Sequence, residues 1–104
     1  MTGDLGLDYE LRGTTAELVL NGDLDMAGAF KLEPVIERVV SQHDVNELVL
    51  DLEGVEFIDS AGLGSLVSSH ERLNDLGIKA KVTRPSAAVQ RVLDATGTGG
   101  VLLG

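Results

Sequence analysis

The sequence contains no cysteine and few aromatic residues, and both absences narrow its possible functions. Without cysteine the chain cannot form disulfides, thiolate metal sites or a cysteine nucleophile. Its aromatic residues are Tyr9, Phe30 and Phe57, which is a poor supply for stacking nucleic-acid bases or sugars. No apolar run approaches the roughly 20 residues that a membrane span requires.

Basic residues are also scarce, because 8 Lys and Arg stand against 17 Asp and Glu, giving a net charge of −9. Nucleic acids and anionic lipids are bound mainly through cations, so we expect no nucleic-acid partner and no direct membrane insertion. The opening residues Met1-Thr2-Gly3-Asp4 lack the basic and apolar regions of a signal peptide. We therefore expect a cytoplasmic protein, and we expect no cofactor.

The strands are predicted from alternating and continuous apolar residues. Residues 5–11 form a first strand, and Ala16, Leu18 and Leu20 mark the buried face of a second. The short turn between them predicts an antiparallel hairpin. Residues 47–52 are apolar on both faces at their middle, which predicts a central strand covered on both sides.

Helical periodicity predicts a first helix with an apolar face that includes Leu32, Ile36 and Val39. Pro34 lies within this pattern, so the helix is expected either to start near it or to kink there. A last helix should follow Pro85 and end at the glycines from Gly97 onward. The apolar residues 101–103 are expected to form a short final strand or a packed tail.

The clearest helical pattern begins near Ser60 and should stop at Gly77, where a left-handed conformation suits glycine. Its inner stripe leaves three serines on the predicted solvent side: Ser65, Ser68 and Ser69. The element order is therefore β-β-α-β-α-β-α. Strands separated by helices pair in parallel, so we predict an α/β fold. Its sheet is mixed and mainly parallel, with an N-terminal antiparallel hairpin and about three packed helices.

The main candidate site lies between the central strand and the second helix, in the run Asp59-Ser60-Ala61-Gly62-Leu63-Gly64. Ser60 falls where a helix N-cap is expected, and the two glycines in the first helical turn either allow tight packing or favour close approach of a partner or a phosphate. Two interpretations follow for Ser60. It caps the helix, which the local pattern by itself favours, or it is a phosphorylation switch.

A second candidate is acidic: Asp23, Asp25, Asp51 and Asp59 follow strands whose ends are expected to share one edge. Clustered carboxylates can hold Mg²⁺ or accept a phosphoryl group, with Asp51 or Asp59 as the acceptor. Asp is also common in caps and turns of acidic proteins, and this simpler interpretation is favoured, so no metal site is expected. His43 and His70 lack a third partner for catalysis, and no catalytic residue is assigned.

Three segments together resemble the STAS domain, specifically the bacterial anti-sigma factor antagonists. They are residues 20–25, residues 49–52 followed by 55–64 with the Asp-Ser-Ala-Gly-Leu-Gly run, and residues 85–93 with Thr96-Gly97. The resemblance implies a single STAS domain over residues 1–104. Pro34 and an end at Gly104 depart from the family's usual pattern of an uninterrupted first helix and a further C-terminal segment.

The resemblance implies a regulatory binding protein and not an enzyme. In the family, an anti-sigma factor with serine-kinase activity phosphorylates the serine that matches Ser60, and a serine phosphatase reverses the modification. The unmodified antagonist binds the anti-sigma factor, and the phosphorylated one releases it. The implied partner-binding residues are Asp23, Asp25, Asp59, Ser60, Ala61, Gly62, Leu63 and Gly64. The alternative is a constitutive scaffold subunit of a lipid-transport or stress-signalling complex, in which Ser60 only caps its helix.

Overall fold

The computed structural model describes residues 3–103. The signal-peptide prediction rests partly on Met1 and Thr2, which lie outside this range, as does Gly104. The elements are β1 (Gly6–Arg12), β2 (Thr15–Leu24), α1 (Met26–Gln42), β3 (Glu47–Ile58), α2 (Ser60–Asp75), β4 (Lys79–Thr83), α3 (Ala87–Thr96) and α4 (Gly99–Leu102).

The strands form one four-stranded sheet in the order β1-β2-β3-β4. The pair β1–β2 is antiparallel, whereas β2–β3 and β3–β4 are parallel. These findings confirm the predicted α/β fold with its N-terminal hairpin. The helix count differs slightly from prediction, because the described residues hold three long helices and a fourth of a single turn.

One face of the sheet carries most of the core. Ala16, Leu18 and Leu20 of β2 are fully buried, and Leu48 and Leu50 lie beside the first two on β3.

The opposite face of β3 is less covered than its sequence predicted. Glu47 and Val49 are only half-buried there, and the neighbouring residues Lys79 and Lys81 of β4 line up with them. Lys81 forms an ion pair with Glu47 at 3.9 Å. The prediction of a central strand is therefore confirmed, but full cover on both sides is wrong for this part of it, because charged residues share the second face.

Pro34 does not start α1. The helix begins at Met26, well before the proline, because Asp25 provides the cap. Pro34 lies inside the helix on an exposed position, where water can reach the carbonyl group that lacks an N–H partner. The helix therefore tolerates the proline on its solvent side.

In α2 the predicted orientation is wrong for two of the three serines. Ser65 and Ser69 are buried, with 4% and 8% exposure, whereas Ser68 is exposed as predicted. The Ser65 hydroxyl donates to the carbonyl of Gly62 at 2.8 Å, so burial leaves no unmet donor. Gly77 has a φ of 78° and follows the end of the helix, as predicted.

The C-terminal residues form the single turn α4 and not a strand, and of the predicted packed tail 101–103 only Leu102 is buried. Leu102 is 1% exposed and belongs to the core. Across residues 3–103, none of the helices combines the length and the apolar character that crossing a membrane demands.

Candidate functional site

Two strand-to-helix junctions lie next to each other at one edge of the sheet. Leu24 at the end of β2 pairs with Ile58 at the end of β3 in a parallel register. Each strand is followed by one aspartate, Asp25 or Asp59, and then by a helix. The backbone N–H of Asp59 donates to the carbonyl of Leu24 at 3.4 Å, which joins the two junctions directly.

Both aspartates are helix caps. Oδ1 of Asp25 accepts a hydrogen bond from the N–H of Gly28, and Oδ1 of Asp59 accepts one from Gly62, each at 2.9 Å. The N-cap of α2 is therefore Asp59, and the prediction that Ser60 is the cap is wrong. Asp caps helices as well as Ser does. Strand β3 ends at Ile58, so the cap position falls on Asp59, whereas a cap at Ser60 would have needed the strand to end one residue later.

Ser60 is the first residue of α2, and it is exposed. Among residues 3–103 its hydroxyl makes no hydrogen bond, and the capping bond to the Gly62 N–H comes from Asp59. Free N–H groups and the helix dipole make this position favourable for an added negative charge. A modifying enzyme can thus reach the Ser60 oxygen without breaking a structural contact.

The two glycines of the motif have different surroundings. A Cβ on Gly62 would overlap the carbonyl oxygen of Leu24, so this glycine permits the close contact between α2 and β2. Gly28 does the same for α1, since its Cβ would lie 2.6 Å from the carbonyl oxygen of Asp23. A Cβ on Gly64 would have nothing within 4 Å. Packing therefore explains why residue 62 is a glycine. It does not explain the glycine at position 64, which lies on an exposed surface.

The structure brings the predicted partner-binding residues together, at different depths. Ser60 and Gly64 are exposed, and four others are half-buried around them: Asp25, Asp59, Ala61 and Leu63. Gly62 and Asp23 are buried beneath, and Asp23 is only 4% exposed. Its Oδ2 atom has no hydrogen-bond partner within the described part of the chain. Burial means that Asp23 and Gly62 support this surface from below.

Asp51 does not share the edge with the other aspartates, because β3 continues beyond it to Ile58. Its carboxylate accepts the N–H of Glu53 at 3.0 Å and lies 3.4 Å from Nε of Arg84, which also binds Glu53. The backbone of Arg84 has a φ of 50°, in the left-handed region. The ion pairs of its side chain with Asp51 and Glu53 hold the residue in this strained conformation. Between residues 3 and 103 no group of three or more His, Asp or Glu could hold a metal ion.

Sequence reasoning missed two exposed apolar residues beside this site. Met26 is 60% exposed and Phe30 is 71% exposed, both near the start of α1. The available signal was their position outside the helix's apolar stripe, which marks large hydrophobic side chains with no place in the core.

A groove of about 390 Å³ separates α1 from α2, lined by Glu33, Ile36, Glu37, Ser68, Ser69, Arg72 and Leu73. Arg72 closes its rim by donating two hydrogen bonds of 2.6 Å to the Glu37 carboxylate. These bonds lower the pKa of Glu37 and raise the pKa of Arg72. The pair shows that the two helices lie side by side beyond their first turns.

The sequence profile of the STAS domain matches residues 7–102. The chain belongs to the STAS domain family. The anti-sigma F factor antagonist of Lysinibacillus sphaericus is 26% identical over 96 residues, covering 89% of this chain and 82% of that protein. It is named for the protein that it antagonises and not for a reaction.

Solved structures of related proteins show the same fold. An anti-sigma factor antagonist from Mycobacterium paratuberculosis superimposes with a TM-score of 0.81 at 28% identity, covering 95% of this chain and 83% of the other. Unphosphorylated SpoIIAA, an anti-sigma factor antagonist, gives 0.79 at 22% identity, covering 94% and 86%. The phosphorylated form of Bacillus SpoIIAA gives 0.73 at 21% identity, covering 94% and 89%. At these identities the SpoIIAA structures establish the fold alone.

Proposed function

We propose that this STAS domain is an anti-sigma factor antagonist whose binding is switched at Ser60. The unmodified protein binds an anti-sigma factor that has serine-kinase activity, and phosphorylation of Ser60 releases it. A serine phosphatase restores the binding form. The observation that carries the proposal is the free, exposed Ser60 hydroxyl at the start of α2, where Asp59 and not Ser60 caps the helix.

The names of related proteins support the proposed role as an anti-sigma factor antagonist. The curated relative and the mycobacterial structure are both called anti-sigma factor antagonists. SpoIIAA is described in an unphosphorylated and a phosphorylated form, so a protein with this fold undergoes such a modification. Transfer of the cycle to Ser60 is our inference from the matching position of the motif.

A phosphate on Ser60 would change the surface more than the fold. It adds a charge of about −1.5 to −2. The helix N-terminus favours that charge by roughly 0.3–1 kcal/mol, whereas the neighbouring carboxylates of Asp25 and Asp59 oppose it. These contributions are of opposite sign and act at an exposed position, so we expect the domain to stay folded in both forms.

Release requires the phosphate to act differently on the free and bound states. In the free protein the phosphate is solvated, whereas in the complex it is partly desolvated and adds to a site that already holds Asp25 and Asp59. A difference of about 3 kcal/mol would weaken binding more than a hundredfold.

The test is to incubate the protein with each candidate anti-sigma factor of its source organism and ATP, and then to map any phosphoryl group by intact-mass and fragment analysis. We expect one acid-stable phosphoryl group on Ser60 and none on the Ser60→Ala variant. An acid-labile adduct would instead identify an aspartate, Asp51 or Asp59, as the acceptor.

Affinity is then measured by calorimetry. Ser60→Ala should bind as the native protein does, whereas Ser60→Asp and the phosphorylated protein should bind more weakly. Full affinity of the phosphorylated protein would contradict the switch. Firm binding to a transporter ATPase, together with no phosphorylation, would favour the constitutive scaffold.

A further inference from the structure

Two bulky apolar side chains stand in solvent near the start of α1. Phe30 is 71% exposed and Met26 is 60% exposed, more than any other large hydrophobic residue of the described chain. They are four residues apart, so they lie next to each other on one side of the helix. Together they form a continuous apolar patch, which we name the α1 patch.

The packing of α1 fixes this exposure. Gly28 contacts the carbonyl of Asp23, and Leu32 is fully buried. At 3.6 residues per turn, Met26 and Phe30 lie on the opposite side of the helix from Gly28. Rotating the helix to bury the patch would move Gly28 away from the Asp23 carbonyl and bring a residue with a side chain into that close contact.

The α1 patch adjoins Ser60. Met26 and Ser60 are the first residues of α1 and α2, and both follow the paired strand ends at Leu24 and Ile58. The Glu37–Arg72 pair shows that the helices remain side by side further along. The same sequence offset of about 34 residues puts Phe30 at the level of the exposed Gly64 along the two helices, and an added Cβ on Gly64 would meet open space. Ser60 and the patch therefore belong to one continuous surface.

Charge decides what can cover this surface. The carboxylates of Asp25, Glu33 and Asp59 flank it, while the nearby Lys31 ammonium is directed to the carbonyl of Leu5 at 3.4 Å. A second copy of the chain, itself at −9, or an anionic membrane would be repelled. The complementary surface is an apolar recess with Lys and Arg at its rim.

We propose that Met26 and Phe30 are the apolar anchors of the anti-sigma factor interface, and that they occupy a basic-rimmed recess on the same partner that modifies Ser60. This inference rests on the proposed function and adds the part of the surface that phosphorylation does not alter. Buried aromatic anchors at the centre of an interface commonly dominate affinity. In this proposal the α1 patch provides binding affinity for the anti-sigma factor, and the phosphorylation state of Ser60 controls whether the complex forms.

The experiment measures the affinity of the anti-sigma factor found in the phosphorylation assay for the full-length variants Phe30→Ala and Met26→Ala. We expect Phe30→Ala to weaken binding by roughly tenfold or more, and Met26→Ala by somewhat less. The matched controls are Tyr9→Ala and Leu76→Ala, which remove side chains 43% and 53% exposed. Tyr9 lies near His43, at the far end of α1, and Leu76 follows the far end of α2. Both controls should bind normally, and all four variants should keep the native melting temperature.

The outcomes separate the two proposals. If Ser60→Asp weakens binding but Phe30→Ala and Met26→Ala do not, the switch stands and the anchor inference is overturned. If the patch variants weaken binding while the phosphorylated protein binds fully, the anchors stand and the switch fails. Equal weakening by the controls, or no binding of any anti-sigma factor by the native protein, overturns the inference as stated.

Discussion

Gly62 of α2 packs its bare α-carbon against the backbone carbonyl of Leu24, at the end of the neighbouring strand β2. The same strand end accepts the N–H of Asp59, one residue before the helix. These contacts join the start of α2 to the strand that leads into α1. They hold the start of α2, with Ser60, next to the end of β2.

The first prediction concerns the two glycines of the motif. Gly62→Ala should lower the free energy of unfolding by about 2–3 kcal/mol, because its Cβ would overlap a backbone oxygen that cannot move aside. Gly64→Ala should raise it by roughly 0.5–1 kcal/mol, since the helix gains a better helix former in open space. Urea titrations of both variants check the pair. Equal effects would show that α2 does not rest on Leu24 in solution.

The second prediction separates Asp59 from Ser60. Asp59→Ala removes the side chain that accepts the Gly62 N–H, and should cost about 1 kcal/mol of stability. Ser60→Ala should leave the free energy of unfolding within roughly 0.5 kcal/mol of the native value, because the hydroxyl that it removes is exposed and makes no hydrogen bond within the described residues. Asp59→Asn keeps an oxygen acceptor and serves as the control. A larger loss of stability for Ser60→Ala than for Asp59→Ala would show that Ser60, and not Asp59, is the N-cap of α2.

The third prediction concerns the buried carboxylate of Asp23. Oδ2 is without a hydrogen-bond partner among residues 3–103, and burying such a group carries a desolvation cost. Asp23→Asn keeps the size of the side chain and removes its charge, so the free energy of unfolding at pH 7 should rise by about 1 kcal/mol. The exposed Asp94→Asn is the matched control and should change stability little. A strong loss for Asp23→Asn would show that the carboxylate is satisfied in solution.

The fourth prediction is a pH dependence from Glu37. Arg72 lowers the pKa of Glu37 below its ordinary value of 4.5, mainly by hydrogen bonding. A lowered folded-state pKa gives stability that is present above about pH 4.5 and is lost as pH falls through the lower folded-state value.

The check compares the native protein with Glu37→Gln in thermal melts between pH 7 and pH 3. The native protein should be slightly more stable at pH 6, and the difference should shrink in acid and in high salt. The effect should be small, because the Arg72 and Glu37 side chains are 59% and 45% exposed. An advantage that grows in acid would contradict the sign.

Local pattern predicted the elements because each strand and helix buries one regular face. Ala16, Leu18 and Leu20 repeat every second residue and are all fully buried. The second half of β3 was less predictable, because residues 53–58 mix charged and apolar side chains yet continue the strand. There β2 and β3 pair with register shifts, and such irregular pairing leaves no simple period in the sequence.

The candidate site was located from its residues, but the roles within it were not. A strand ending at Ile58 or one residue later decides whether Asp59 or Ser60 caps α2, and composition does not distinguish these cases. Ser65 and Ser69 are buried although their polarity indicated solvent, and the Ser65 hydroxyl is satisfied inside the helix by the Gly62 carbonyl.

The sequence by itself determined the order of strands and helices, the aliphatic core and the place of the Ser60 motif, because these depend on neighbours along the chain. Tertiary structure alone decided that Gly62 rests on Leu24, that Asp51 lies away from the other aspartates, and that Met26 and Phe30 stay exposed near the start of α1. The reason is that parallel pairing of β2 and β3 joins segments far apart in sequence, and only that pairing fixes which side chains share a surface.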